Sequence, residues 1–301
     1  MEKIHDMIVI GGGPAGYTAA LYAARAGLDA VVIEKMSAGG QMAVTDTIDN
    51  YSGFSEGIPG WELGMKMQAG AERFGAVTQY GEVVSVELEG SVKRVKTCSD
   101  ELLSRTVVIA TGAGPRELGV DREEEYIGRG VHYCAHCDGR FYKNKVVAVV
   151  GGGNSALEDA LYLSRLAEKV YLIHRRDSFR ASKIYVDALA KSANIEFLAN
   201  SSISELIAGE RVNGIRLADG RELEVNGLFV SIGRKPASEL LRGQLELDAG
   251  GYIVADESTR TNIDGVYAVG DVRTKPLRQV VTAVGDGAVA VHFAEEYLAK
   301  V

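Results

Sequence analysis

The sequence predicts a two-domain α/β protein in which one domain is inserted into the other. Three observations carry this reading. A glycine-rich turn joins an apolar strand to a helix near the N-terminus, and the same unit recurs 140 residues later. Further buried strands, each ending in glycine, follow both copies. The 301 residues exceed what one core usually organises. Hydrophobic residues make up 46% and charged residues 25%, the proportions of an ordinary soluble globular chain. Glycine is in excess at 36 residues and follows no collagen-like period, so these glycines mark tight turns and close backbone approaches.

The first unit reads as a strand over 7–10, the turn Gly11-Gly12-Gly13-Pro14-Ala15-Gly16, a helix over 17–25 and a strand over 30–33. The second runs from 146 to 173 around Gly151-Gly152-Gly153-Asn154-Ser155-Ala156. The copies align without gaps: Gly11 falls on Gly151, Gly13 on Gly153, Gly16 on Ala156 and Arg25 on Arg165. One GxGxxG is weak evidence; two in register are strong. Buried strands end at Thr111-Gly112 and at Gly233, and the run from Gly265 to Asp271 has the same character. The predicted fold is α/β, with two Rossmann-like (three-layer ββα) dinucleotide-binding domains. Residues 1–113 and 245–301 form the outer domain, and 114–244 the inserted one.

In such a turn the first glycine permits the tight bend, the second admits a pyrophosphate, and the third lets helix pack on strand. An acidic residue after the second strand accepts from ribose hydroxyls. In the first copy it is Glu34, which suits an adenosine with free hydroxyls and repels a 2′-phosphate. The matching residue of the second copy is His174, followed by Arg175, Arg176 and Arg180. Guanidinium groups suit a phosphorylated ribose. Two charge-assisted bonds of roughly 1.5–3 kcal/mol each would favour it about a hundredfold or more. The second copy is therefore read as an NADPH site, through Gly151, Gly153, Asn154, Ser155, Ala156 and the basic cluster. The first is read as an FAD site, through Gly11, Gly13, Pro14, Ala15, Gly16 and Glu34, with Thr111 and Gly112 at the end of a neighbouring strand. The stretch 261–271 resembles a second flavin fingerprint, in which Gly270 and Asp271 contact the ribityl or phosphate portion.

Three cysteines are present: Cys134 and Cys137 at CxxC spacing, and Cys98 in a polar stretch where it reads as an incidental thiol. The pair can close a redox disulfide or sit inert. It can also form a zinc site with His132 and His136, although the spacing is tighter than finger-like patterns. Asp138, next after the second cysteine, is a candidate general acid/base or a turn residue.

The net charge of −8 argues against a nucleic-acid binder. No apolar run nears the ~18 residues of a membrane span. The N-terminal segment lacks the features of a signal peptide, so the expected location is cytoplasmic.

With its flavin, NADPH and CxxC fingerprints in this order, the chain resembles the low-molecular-weight thioredoxin reductases over essentially its whole length. The segment from Gly39-Gly40-Gln41 to Asp49-Asn50-Tyr51 resembles their flavin-contacting loop, which implies Gly40, Gln41 and Asn50 as contacts. Arg278-Gln279-Val280 resembles their segment beside the isoalloxazine ring. The resemblance implies electron flow from NADPH through FAD and the Cys134–Cys137 disulfide to thioredoxin or a thioredoxin-like protein. In that scheme Cys137 faces the flavin, Cys134 attacks the partner, the domains rotate between two states, and the protein is a homodimer. His136 departs from the pattern, which has threonine there, and resembles instead a flavoprotein that reduces bacterial peroxidase partners. Rival readings are an NADPH:ferredoxin or quinone-type electron carrier with an incidental CxxC, a dithiol oxidase, a ferredoxin-driven reductase, and a flavin-binding redox sensor.

Overall fold

The computed structural model describes residues 3–45 and 47–301; Met1 and Glu2 of the N-terminal segment, and Asp46 in the 39–51 loop, lie outside them. The chain divides into two compact units, Met1–Gly114 with Lys235–Val301, and Pro115–Arg234. The return at 234/235 lies ahead of the 244/245 boundary that the sequence predicts. The physical reason is packing: Leu241 and Leu245 are buried in the core of the first unit beside Val86 and Leu88. Gln244 also bonds there, donating to Val86 O and accepting from Leu88 N.

The first unit opens with β1 (Ile4–Ile10), α1 (Pro14–Arg25) and β2 (Ala30–Glu34). It continues through α2 (Gly60–Glu72), β3 (Val77–Tyr80), β4 (Val83–Glu87), β5 (Lys93–Thr97) and β6 (Glu101–Ile109). The short β7 (Ala113–Pro115) leads to the second unit. There follow β8 (Val131–His132), α3 (Ala135–Asp138), β9 (Val146–Val150), α4 (Asn154–Ser164) and β10 (Lys169–Ile173). Next come α5 (Lys183–Leu189), β11 (Ile195–Leu198), β12 (Ile203–Ala208), β13 (Val212–Leu217), β14 (Glu222–Glu224) and β15 (Gly227–Val230). The chain returns through β16 (Arg234–Pro236) and ends with β17 (Val266–Ala268) and α6 (Val280–Leu298).

The first sheet runs β3-β2-β1-β6-β5-β4, with β17 on the remaining edge of β6. Strand β6 divides that edge, pairing antiparallel with β5 through 101–104 and parallel with β17 through 107–109. The second sheet is the parallel set β11-β10-β9-β15-β8, accompanied by the antiparallel β12-β13-β14. Alternation along the central strands separates the layers. Met7 and Val9 of β1 face the helices with Ala20 and Val291, while Ile8 and Ile10 face Val86 and Val95. In the second unit Val147 and Val149 face Leu157 and Ala160, while Ala148 and Val150 face Val212 and Ile215. Each such buried valine, leucine or isoleucine side chain contributes about 1.5–3 kcal/mol. Both units are thus helix, parallel sheet and antiparallel strands in layers. Helix α1 begins at Pro14, ahead of the predicted residue 17, because a proline at the first helical position is already in helical φ.

Candidate active site

In both units the functional turn follows the central parallel strand. Gly11 has φ +108°, and a Cβ there would lie 2.4 Å from Ala110 O. A Cβ on Gly16 would lie 1.9 Å from Gly11 O, so helix and strand meet only without side chains. Glu34 reaches this turn: its Oε2 accepts the Gly12 N–H at 2.6 Å and its Oε1 the Met36 N–H at 3.0 Å. The loop carrying Gly40 and Gln41 lies against the turn, with Gly39 N donating to Gly12 O at 2.8 Å. Gly270, at φ +71°, lies against Ala15. Asn50 and Gln279 are joined by a hydrogen bond of 3.0 Å. Arg278 donates to Asp271 O and Arg273 O and stacks over Tyr252 at 4.1 Å. The first unit therefore gathers Gly11, Gly16, Glu34, Gly40 and Gly270 around one turn. Thr111 is anchored to the returning chain. Its hydroxyl donates to Ala237 O at 2.7 Å, and Gly112 O accepts from Ala237 N.

Sequence reasoning missed the buried network under Gly270. Asp286 of α6 accepts from Gly270 N, Arg273 and Lys275 at 2.9, 2.9 and 2.7 Å. Burial pushes its carboxyl up, but the hydrogen bonds and charges of Arg273 and Lys275 outweigh this and hold it below the usual range. No local motif marks this residue; only folding brings its partners together.

The second turn repeats the first with one exchange. Gly151 has φ +152°, and a Cβ there would lie 2.3 Å from Ser231 O. A Cβ on Gly152 would lie 2.3 Å from the His174 ring, which stands where Glu34 stands against Gly12. Burial, then the charges of Arg175, Arg176 and Arg180, hold the His174 imidazole below its usual range. None of the three is ion-paired with a carboxylate among the described residues. His174 Nε2 is buried without a partner there. Unneutralised cations around an orphaned buried nitrogen fit a bound phosphorylated nucleotide. Asn154, at the start of α4, is anchored through its side chain, whose Oδ1 accepts the Ser182 N–H at 2.7 Å.

Cys134 and Cys137 form a disulfide at the start of α3, with Cα atoms 5.3 Å apart. Asp138 follows, and its Oδ2 lies 2.9 Å from His132 Nδ1. His136 stacks on Tyr162 at 4.3 Å and lies 3.8 Å from Asp159, which accepts from Ser231. Burial pushes the Asp159 carboxyl up, against the Ser231 hydrogen bond and the pull of His136. The His136 ring is thus placed by Tyr162 and Asp159, both contacts lying within the second unit. Of the residues a zinc site would use, the cysteines are bonded to each other and the histidines are engaged by different carboxylates. Cys98 is an exposed free thiol.

The sequence pattern of the pyridine nucleotide-disulphide oxidoreductases matches residues 5–287. The chain belongs to this family. It is 46% identical to a thioredoxin reductase of Listeria monocytogenes, over 99% of this chain and 95% of that one. With a thioredoxin reductase of Mycolicibacterium smegmatis it shares 47% identity, over 99% and 98%. The crystal structure of a thioredoxin reductase from Streptococcus pyogenes superposes with a TM-score of 0.93 at 41% identity, covering all of both chains. As a member of the family the protein is a flavoprotein disulfide reductase, and its cofactors are FAD and NADPH. The glycine cradle of the first unit and the cationic pocket of the second fit these two groups. Among the described residues no helix is long and apolar enough to cross a membrane.

Proposed function

We propose that this oxidoreductase reduces the disulfide of thioredoxin, or of a thioredoxin-like partner, with electrons from NADPH. The observation that carries the reading is the Cys134–Cys137 disulfide followed directly by a hydrogen-bonded carboxylate, in the same unit as the arginine cluster. When bound, NADPH and FAD supply the two-electron reducing chemistry. The backbone of Gly11, Gly13, Pro14, Ala15 and Gly16, with Glu34, Gly40, Gln41, Asn50, Thr111 and Gly112, would hold FAD. Gly270, Asp271, Arg278, Gln279 and Val280 would complete that site. Gly151, Gly153, Asn154, Ser155 and Ala156 would hold the NADPH pyrophosphate. His174, Arg175, Arg176 and Arg180 would hold its 2′-phosphate.

In this assignment the Cys134 thiolate attacks the partner disulfide, Cys137 resolves the mixed disulfide, and Asp138 moves the proton. The outer unit is the FAD domain and the inserted unit the NADPH and disulfide domain. The same reading makes the protein a cytoplasmic homodimer, a state that light scattering on the FAD-loaded protein checks.

The deciding experiment is anaerobic NADPH consumption by the FAD-loaded protein with thioredoxin, run beside Cys134→Ser and Cys137→Ser. Thioredoxin-dependent turnover, abolished by both substitutions, is the expected result. Flavin bleaching by NADPH without thioredoxin-dependent turnover would assign the protein a different disulfide partner.

A further inference from the structure

Glu123 is only 3% exposed, and a carboxylate taken out of water must be hydrogen-bonded. Its two oxygens meet three donors. Oε1 accepts from Leu118 N at 3.0 Å and from the Tyr133 hydroxyl at 2.8 Å, and Oε2 accepts from Gly119 N at 2.8 Å. The chain enters this position through Arg122, a non-glycine residue at φ +61°, in the left-handed region that side chains disfavour. The two amides belong to the turn that Glu123 itself closes. The phenol does not: it comes from the residue directly before Cys134.

Strand β8 ends at His132, whose pairing with Phe229 is its last on β15. Side chains alternate across a strand. His132 packs on the Tyr142 and Phe229 rings, whereas Val131 and Tyr133 join the opposite core with Leu228 and Ile215. Tyr133 and Cys134 therefore lie past the end of the ladder, and Cys134 is still extended, at φ −144°, before α3 begins. The Tyr133 side chain fixes the chain at this point, with its ring in the core and its hydroxyl on Glu123. Burial, then the hydrogen bond to Glu123, push the phenol up, so it stays protonated and donates.

We propose that Glu123 is a positioning residue for Cys134: through the Tyr133 hydroxyl it fixes the residue before the cysteine, and so sets the line along which the sulfur meets a docked partner disulfide. This rests on the disulfide-reductase reading above. In that reaction the Cys134 thiolate bonds to one partner sulfur as the partner S–S bond breaks, and a partner thiolate leaves. The Cys137 thiolate then bonds to Cys134 as the mixed disulfide breaks. The enzyme dithiol loses two electrons and two protons, and the two partner thiols gain them. Glu123 takes no part in these bond changes. Its effect is geometric, and in-line attack on a disulfide is sensitive to small displacements of the attacking atom.

The test uses FAD-loaded protein, pre-reduced and mixed rapidly with thioredoxin disulfide. In parallel the reduced protein is treated with iodoacetamide, and peptide mass follows the alkylation of Cys134. Tyr133→Phe keeps the ring and both amide bonds of Glu123 and removes only the tie between them. It is expected to slow thioredoxin reduction about tenfold or more, because a docked protein offers its disulfide along one line. Alkylation of Cys134 should stay within about twofold of wild type, since a small electrophile meets the sulfur from any open side. An unchanged thioredoxin rate, or an equal loss in both reactions, would overturn the proposal. Should Tyr133→Phe fail to retain FAD, Glu123→Gln exchanges the anionic acceptor for a neutral amide and is read the same way. A loss confined to thioredoxin then supports the proposal, and any other pattern overturns it. Failure of the wild-type dithiol to reduce thioredoxin removes the underlying reading instead, and shows before any variant is made.

Discussion

Asn50 and Gln279 stand 229 positions apart and are joined by a hydrogen bond from Nδ2 to Oε1. Gln279 precedes α6, and its backbone N–H donates to Thr282 Oγ1. The bond thus ties the loop after Gln41 to the start of the helix that carries Asp286.

Asn50→Ala is expected to loosen FAD by the net value of one hydrogen bond, about 0.5–1.5 kcal/mol, or roughly threefold to tenfold in Kd. Gln279→Ala should act similarly, and the double variant should fall short of the sum because the two share one bond. Flavin fluorescence titration measures all three; full additivity would show that the bond does not couple them.

Asp286→Asn should destabilise the protein by about 3–5 kcal/mol, because Arg273 and Lys275 would stay buried without their counter-charge. The sign of the pH dependence follows from the depressed carboxyl. Its stabilisation is present above the unfolded value near ~3.9 and is lost as pH falls through the lower, folded value. Thermal melts from neutral pH to about pH 3 should show this acid loss in the wild type and a flatter profile in Asp286→Asn.

The paired change Arg175→Ala and Arg176→Ala should lower kcat/KM for NADPH by about a hundredfold, the value of two charge-assisted hydrogen bonds. The effect on NADH should be small, since it carries no 2′-phosphate to engage them. Steady-state kinetics with both nucleotides decide it, and an equal loss for both would remove the phosphate role.

His136→Thr should make the midpoint potential of the disulfide more negative. His136 lies between the two cysteines in the chain, with Nδ1 3.8 Å from the Asp159 carboxyl, and an imidazole N–H near a thiol stabilises the thiolate. A loss of about 1.4 kcal/mol corresponds to about 30 mV. Equilibration against a thiol–disulfide buffer measures the shift; an unchanged potential would refute the assignment.

The glycine turns were the most legible part of the chain because their requirement is local. Gly11 needs a positive φ, and no Cβ fits at Gly16, whatever the rest of the molecule does. The replacement of Glu34 by His174 in the second copy was legible by register alone, and the folded chain sets each against the middle glycine of its turn. The return between units was not, since Leu241 and Leu245 belong to the first core only through contact with Val86 and Leu88, far back in the chain. For Thr111 and Asn154 the sequence did not show the main-chain partner that each side chain takes, Ala237 O and Ser182 N–H.

By itself the sequence determined the chemistry on offer: two cradles made by missing side chains, a carboxylate exchanged for a basic cluster, and two thiols close enough to bond. Those depend on spacing and residue type within a few positions. The tertiary structure alone decided which partner each buried polar group takes. Asp286 meets Arg273 and Lys275, and His132 joins Asp138 to Tyr142. A polar atom removed from water must be paired, and the partner is whichever group the packing of sheets and helices delivers to it.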